Sequence, residues 1–310
     1  MKVQIANPIY DVVFKYMMED NLVAKILVSS IIGEQVIELE PKPQERTIEK
    51  KRKTADEDSS LTVYRLDFSA KIKTPEGHKL IIIEMQKASV PTDITRFRSY
   101  LGRQYCEVSN SAMGEDGKKE PVQIYTIYFL GRDLGICDTP VLSVNPIVID
   151  VATQQIVKEK NAFIDLLNHK CWIVQISCLK QRRRNELEQL LSVFDQSNIT
   201  SNVHILNVRE KDLPEKYRPV VRRLKMAASN QKVKKQMEEE DGIISYLKDI
   251  ERDGYIKARK EFDEEMAKTN KTIEENIKTI EEKEKTIEEK DKIIEEKNKE
   301  IEELKRSLKK

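Results

Sequence analysis

An apolar run, LIIIEMQ at residues 80–86, closes on Glu84 and then Gln86. Alternate residues of an extended chain share a face, so these two polar groups point to one side. Upstream, Asp67 interrupts the alternating stretch 61–73 in the same way. Two carboxylates on adjacent strands, close to a hydrophobic core, repel one another unless a cation stands between them. A hard divalent ion with oxygen ligands suits that place, since Mg2+ takes one or two carboxylates together with water and substrate phosphate. Spacing alone leaves the plainer reading open, because single acids on strands usually face solvent.

The elements that must carry these groups are legible in outline. Residues 10–32 place Val13, Phe14, Met17, Leu22, Ile26 and Leu27 at helical spacing before Gly33, with a break expected near Asp20 and Asn21. A strand is expected over 36–48 and a polar loop over 50–60. Residues 61–73 read as one strand, with Phe68, Ala70 and Ile72 on one face and Asp67, Ser69 and Lys71 on the other. Pro75, Glu76 and Gly77 turn the chain into a second strand over 79–86. A helix over 93–108 follows, then a strand over 122–130 that is apolar on both faces and therefore central. The expected order is helix, three strands, helix, strand: an α/β core with a mixed sheet.

Basic groups could bring a phosphate to that core. In the helix over 93–108, Arg96, Tyr100 and Arg103 fall at i, i+4 and i+7 on one face, while Ile94, Phe97, Leu101 and Tyr105 fill another. Arginine with tyrosine on an exposed stripe suits phosphate contact, although a solvated face has the same spacing. Arg182, Arg183 and Arg184 are expected to open a helix, where they oppose its dipole unless phosphate approaches. His78, His169 and His204 are isolated and offer no metal triad, and Cys171 and Cys178 read as thiols of a buried strand. Neither a phosphate-cradling glycine loop nor GxSxG occurs, which argues against a nucleotide-driven motor and a serine hydrolase.

Asp67, a hairpin, Glu84-x-Gln86, a helix and a strand together resemble the core of the PD-(D/E)xK phosphodiesterase superfamily. More closely, the chain resembles the recombination-promoting nuclease/transposase (Rpn) family. The matching stretches are NPIYDVVFKYMMED (7–20), VYRLDFSAKI (63–72), IIIEMQKA (81–88) and DITRFRSYLGRQY (93–105), with LLSVFD (190–195) and PEKYR (214–218) weaker. The resemblance implies a metal-dependent DNA endonuclease in which Asp67 and Glu84 ligate Mg2+ (or Mn2+ in its place) and the backbone carbonyl of Met85 is a third ligand. Gln86 departs from the superfamily's usual lysine, as this branch commonly does. A neutral amide can hydrogen-bond water or a phosphate oxygen but brings no charge. Lys15 is the candidate for that charge. Asp11 and Lys15 lie one helical turn apart, so both can face the site, with Asp11 on a metal water or a second metal; an exposed helical ion pair fits the spacing equally. Lys87 alternates away from Gln86.

Of the 310 residues, 35 % are charged and 39 % hydrophobic, which concentrates charge in part of the molecule. The 55 basic and 54 acidic residues cancel, which excludes a globally basic DNA-coating protein. With no apolar run long enough to cross a bilayer, no signal peptide visible in 1–17 and no CxxC pair, a soluble cytoplasmic protein is expected. From Thr272, Ile273, Ile280, Ile287, Ile294 and Ile301 recur every seven residues and Leu308 continues the series, while Ile277, Glu284, Asp291 and Asn298 occupy the second seam position. That period belongs to a left-handed coiled coil, hence a homodimer through the heptads; a single solvated helix held by Glu–Lys pairs is the alternative. The expected organisation is a PD-(D/E)xK-like core (1–130), an accessory α/β region (131–225), a charged helical bridge (226–268) and a heptad-repeat helix (269–310). The expected activity is Mg2+-dependent cleavage of DNA. Two rival readings are a catalytically weak DNA-binding or assembly protein that keeps the fold, and a toxin or phage-defence effector using the same hydrolysis.

Overall fold

A computed structural model describes residues 2–42, 45–49, 61–65, 67–86, 93–113, 117–132, 134–136, 138–159, 161–180 and 182–307. Strand β1 (Lys2–Ala6) precedes helices α1 (Asp11–Met18) and α2 (Asn21–Ile32), which are separated where the sequence places the break. The Asp20 side chain accepts from the amides of Leu22 (3.1 Å) and Val23 (3.2 Å) and so caps α2. Gly33 ends that helix at φ 74°, a conformation that a residue without Cβ adopts freely.

The strand expected over 36–48 is two strands, β2 (Glu38–Pro41) and β3 (Glu45–Glu49). Pro41 and Pro43 have no N–H with which to continue a ladder. The strand expected over 61–73 also divides, into β4 (Leu61–Arg65) and β5 (Phe68–Thr74). Here the reason is pairing: β3 and β4 form their own antiparallel ribbon, while β5 belongs to the main sheet. The loop expected over 50–60 lies outside the described residues.

After β5 come β6 (Gly77–Gln86), α3 (Asp93–Cys106), β7 (Ser111–Met113), β8 (Lys119–Pro121), β9 (Gln123–Leu130) and β10 (Val141–Val144). The chain continues through α4 (Ala162–Leu167), β11 (Lys170–Gln175), α5 (Glu186–Leu191), β12 (Ile205–Arg209), α6 (Arg218–Ser229) and α7 (Gln231–Ser307). The main sheet runs β10-β11-β9-β6-β5-β2. Both β6 and β11 lie parallel to β9 and the other neighbours are antiparallel, so the sheet is mixed. Lys79 to Met85 of β6 are buried throughout, as a strand covered on both faces requires. On one face, Ile81, Ile83 and Met85 belong to the same buried cluster as Phe14 of α1, Leu27 of α2 and Leu224 of α6. On the other, Leu80 and Ile82 meet Phe97, Tyr100 and Leu101 of α3. Alternation assigns Glu84 and Gln86 to the α3 side.

Residues 131–225 do not stand apart from 1–130. They supply β10 and β11 to the same sheet, and β12 pairs with β1 from Lys2↔Arg209 to Ala6↔Ile205, so residues 1–240 form one compact unit. The helix expected from 226 onward is interrupted at Asn230, whose side chain accepts from the amides of Lys232 (2.9 Å) and Val233 (3.2 Å) and starts α7 afresh. The second unit, 241–310, is helical to Ser307, with Ile273, Ile277, Ile280, Ile294 and Ile301 exposed. Ile287, as a side chain, and Leu308 lie outside the described residues. Among the described residues, no helix is long and apolar enough to cross a membrane.

Candidate functional site

β5 and β6 run antiparallel with Phe68 opposite Ile83. One residue further in that register brings Asp67 alongside Glu84, and facing residues of such a pair have Cβ atoms ~4.5–5.5 Å apart. Asp67 is just beyond the end of β5, and its Oδ2 accepts from the Met85 amide at 2.5 Å. A residue's own N–H and carbonyl project to the same strand edge, so the Met85 carbonyl is directed toward Asp67 as well. The Gln86 carbonyl turns the other way and accepts from the Gly131 amide at 2.8 Å. These groups gather at the carboxyl end of two parallel neighbours, β6 and β9, where open α/β sheets place their ligands.

The electrostatics of the cluster are strained. Burial holds the Asp67 carboxyl well above the usual carboxylate range, and the nearby charges of Glu84 and Asp11 push it further; the Met85 amide and the Lys15 ammonium oppose them. Glu84 is 2 % exposed. Lys15 Nζ lies 2.7 Å from Asp11 Oδ2, with side chains 15 % and 34 % exposed respectively. The ion pair read from the sequence therefore exists, half-buried and within Coulombic reach of Asp67. Asp11 Oδ1 is buried and has no hydrogen-bond partner among the described residues.

A divalent cation fits this arrangement. Asp67 has both Glu84 and Asp11 within Coulombic reach, Asp11 carries a buried oxygen lacking a donor, and among the described residues Lys15 is the one cation that acts on Asp67 against them. Among the described residues no group of three or more His, Cys, Asp or Glu side chains could hold a metal. The donors that fit are thus the carboxylates of Asp67 and Glu84, the Met85 carbonyl and water. This is an oxygen set suited to Mg2+ or Mn2+ and unlike a zinc cage.

The basic stripe expected on the α3 helix requires correction. Tyr100 is 5 % exposed and packs with Phe97 and Leu101 over Leu80 and Ile82, whereas Ile94 and Tyr105 face solvent. The stripe that buries is 97, 100 and 101, because those positions meet the sheet. Arg103 is half-buried, and the Arg96 side chain and Lys87 lie outside the described residues. Arg182 to Arg184 do not open a helix either. Asn185 caps α5 after them, and they pair with Asp138, Asp195 and Glu188 in turn.

Two residues near the site carry no assigned role in the sequence. Asn7, 1 % exposed, exchanges hydrogen bonds with the Gln196 amide at 2.9 and 3.0 Å and donates to the Val203 carbonyl at 3.0 Å. That clamp fixes the entry to α1 and hence the position of Asp11; a polar residue before Pro8 at a helix start is its only trace in the sequence. Tyr128 faces Glu84 in the β6–β9 register and stacks edge-on against Phe97 at 4.3 Å. An aromatic within an apolar strand gives no hint of that neighbour. No family model, curated protein or solved structure matches the chain.

Proposed function

We propose that the chain is a Mg2+-dependent DNA endonuclease with a PD-(D/E)xK-like core, as its resemblance to the Rpn family implies. The observation that supports this reading is the gathering of Asp67 beside Glu84 and the Met85 amide at the carboxyl end of β6, where burial and the charges of Glu84 and Asp11 hold the Asp67 carboxyl well above its ordinary range. Asp67, Glu84 and the Met85 carbonyl would hold the cation, which when bound neutralises the scissile phosphate and acidifies a water. Gln86, on the Glu84 side of the strand, orients the attacking water or a phosphate oxygen by hydrogen bonding. Lys15 supplies the fixed positive charge that the glutamine cannot, and Asp11 holds that ammonium in place. Arg103, at the last turn of α3, is the basic residue of that helix proposed to contact phosphate.

Supercoiled plasmid incubated with Mg2+ tests this. Wild type nicks it and Asp67→Ala does not; equal cutting by the two would assign the activity to a contaminant or to other residues. One observation favours a second reading. The site carries a neutral glutamine where a lysine is usual for this chemistry, which suits a DNA-binding protein with little or no cleavage. Calorimetry with Mn2+ separates the two: a site lost in Glu84→Ala belongs to the enzyme, and no heat in either protein belongs to the binding module.

A further inference from the structure

None of the residues around a cavity of about 700 Å3 beside the β1–β12 ribbon belongs to the carboxylate cluster. Lys2, Lys180, Arg183 and Arg209 line it against two acids, Asp195 and Asp212, and the remaining wall is serine, asparagine and one valine. Its size lies within the ~300–1,000 Å3 range of small-molecule sites. One cation and one acid cancel: Arg183 pairs with Asp195 at 3.2 Å, and Asp195 is in turn held by the Ser197 amide (3.0 Å) and hydroxyl (2.7 Å). This gives the cavity a fixed, buried floor, because the Asp195 side chain is only 3 % exposed.

The other three cations are arranged differently. Among the described residues, Lys2, Lys180 and Arg209 have no acidic partner in salt-bridge range. Lys2 and Arg209 also stand directly opposite each other in the antiparallel register. Like charges facing across such a pair repel, and the fold tolerates that repulsion at the mouth of a polar cavity. An anion between them would turn the repulsion into attraction. Three distant stretches of chain, at residues 2, 180–183 and 209, supply the cations, so their convergence is a product of the tertiary fold.

We propose that this cavity binds a polyphosphate group. The lining holds no aromatic residue on which a base could stack, so recognition rests on phosphate charge and on hydrogen bonds from the serine and asparagine side chains. The phosphates come either from a free small molecule or from a nucleic-acid backbone.

Calorimetry of the full-length protein with inorganic tripolyphosphate, in chelator and at low salt, is the test. Wild type binds, and Lys2→Ala combined with Arg209→Ala weakens binding at least tenfold, while Lys2→Arg combined with Arg209→Lys keeps it. The alanine variant melts no lower than wild type without ligand, because it removes a repulsion between two exposed side chains. Tripolyphosphate that displaces a labelled DNA duplex identifies a backbone site, and binding without displacement identifies a small-molecule site. No heat with wild type, or the same affinity in the alanine variant, overturns the proposal. Asp67→Ala leaves this binding intact, which keeps the result separate from the fate of the nuclease reading.

Discussion

A carboxyl group raised by burial and by two neighbouring acids makes folding less favourable as pH rises. Asp67 keeps its proton in the native protein after the unfolded chain, near its ordinary value of 3.8, has lost it. The native state then binds more protons, and stability declines between the unfolded and the folded values. Asp67→Asn is therefore expected to stabilise the metal-free protein at pH 7 and to do little below pH ~3.8. Each kcal/mol gained moves the midpoint by roughly 2–4 °C in a unit of this size, so a rise of a few degrees is the expected outcome of a thermal melt. Added Mg2+ raises the wild-type midpoint and not that of the variant; a shift of equal size in both would dissociate Asp67 from the cation. Glu34 has the opposite sign. Burial alone would raise its carboxyl, but hydrogen bonds from Lys79 and Tyr125 hold it below the ordinary range. Its contribution is present above the unfolded value and is lost as pH falls through the folded one. Lys79 is 3 % exposed, so Glu34→Gln leaves a buried ammonium poorly compensated, and urea denaturation at pH 7 is expected to show a loss of ~2–3 kcal/mol.

Among the elements, α3 shows how far a periodic pattern reaches. Both 94, 97, 101, 105 and 97, 100, 101 lie on plausible helical stripes, and only contact with Leu80, Ile82 and Tyr128 selects the second. Tyr100→Ala is expected to cost roughly 3 kcal/mol in urea denaturation, as a core truncation does; a change within ~0.5 kcal/mol would return the residue to the surface. The break between α1 and α2 was legible because its cause is local, a capping aspartate two and three residues from the amides it satisfies. Asp20→Ala is expected to cost about 1 kcal/mol by the same measurement. The division of 61–73 was not legible, since alternation continues through both pieces and the difference lies in which strand each one meets. For the site, Glu84 and Gln86 sharing a face follows from alternation, while the closeness of Asp11 and Lys15 to Asp67 depends on how α1 packs on the sheet.

The molecule as a whole joins a mixed α/β unit, residues 1–240, to a helical segment whose isoleucines repeat every seven residues and remain exposed. Pairs such as Glu295–Lys299, 3.0 Å apart, add only tenths of a kcal/mol to such a helix. Burial of the isoleucine seam against a second copy is the larger available gain. Sedimentation equilibrium of the full chain is expected to show a dimer, and Ile280→Asn with Ile294→Asn a monomer; a monomeric wild type would leave the heptads as a solvated helix. The repeat, the apolar hairpin strand at 79–86 and the helix break at Asp20 are properties of the sequence by itself, because each arises from backbone preference and side-chain periodicity over a few residues. The pairing of residues 2–6 with 205–209, the capture of Arg182 by Asp138, and the Lys2–Arg209 opposition were decided only by the tertiary structure. Their partners lie tens to hundreds of residues away, and no local propensity records which distant groups a folded chain will bring together.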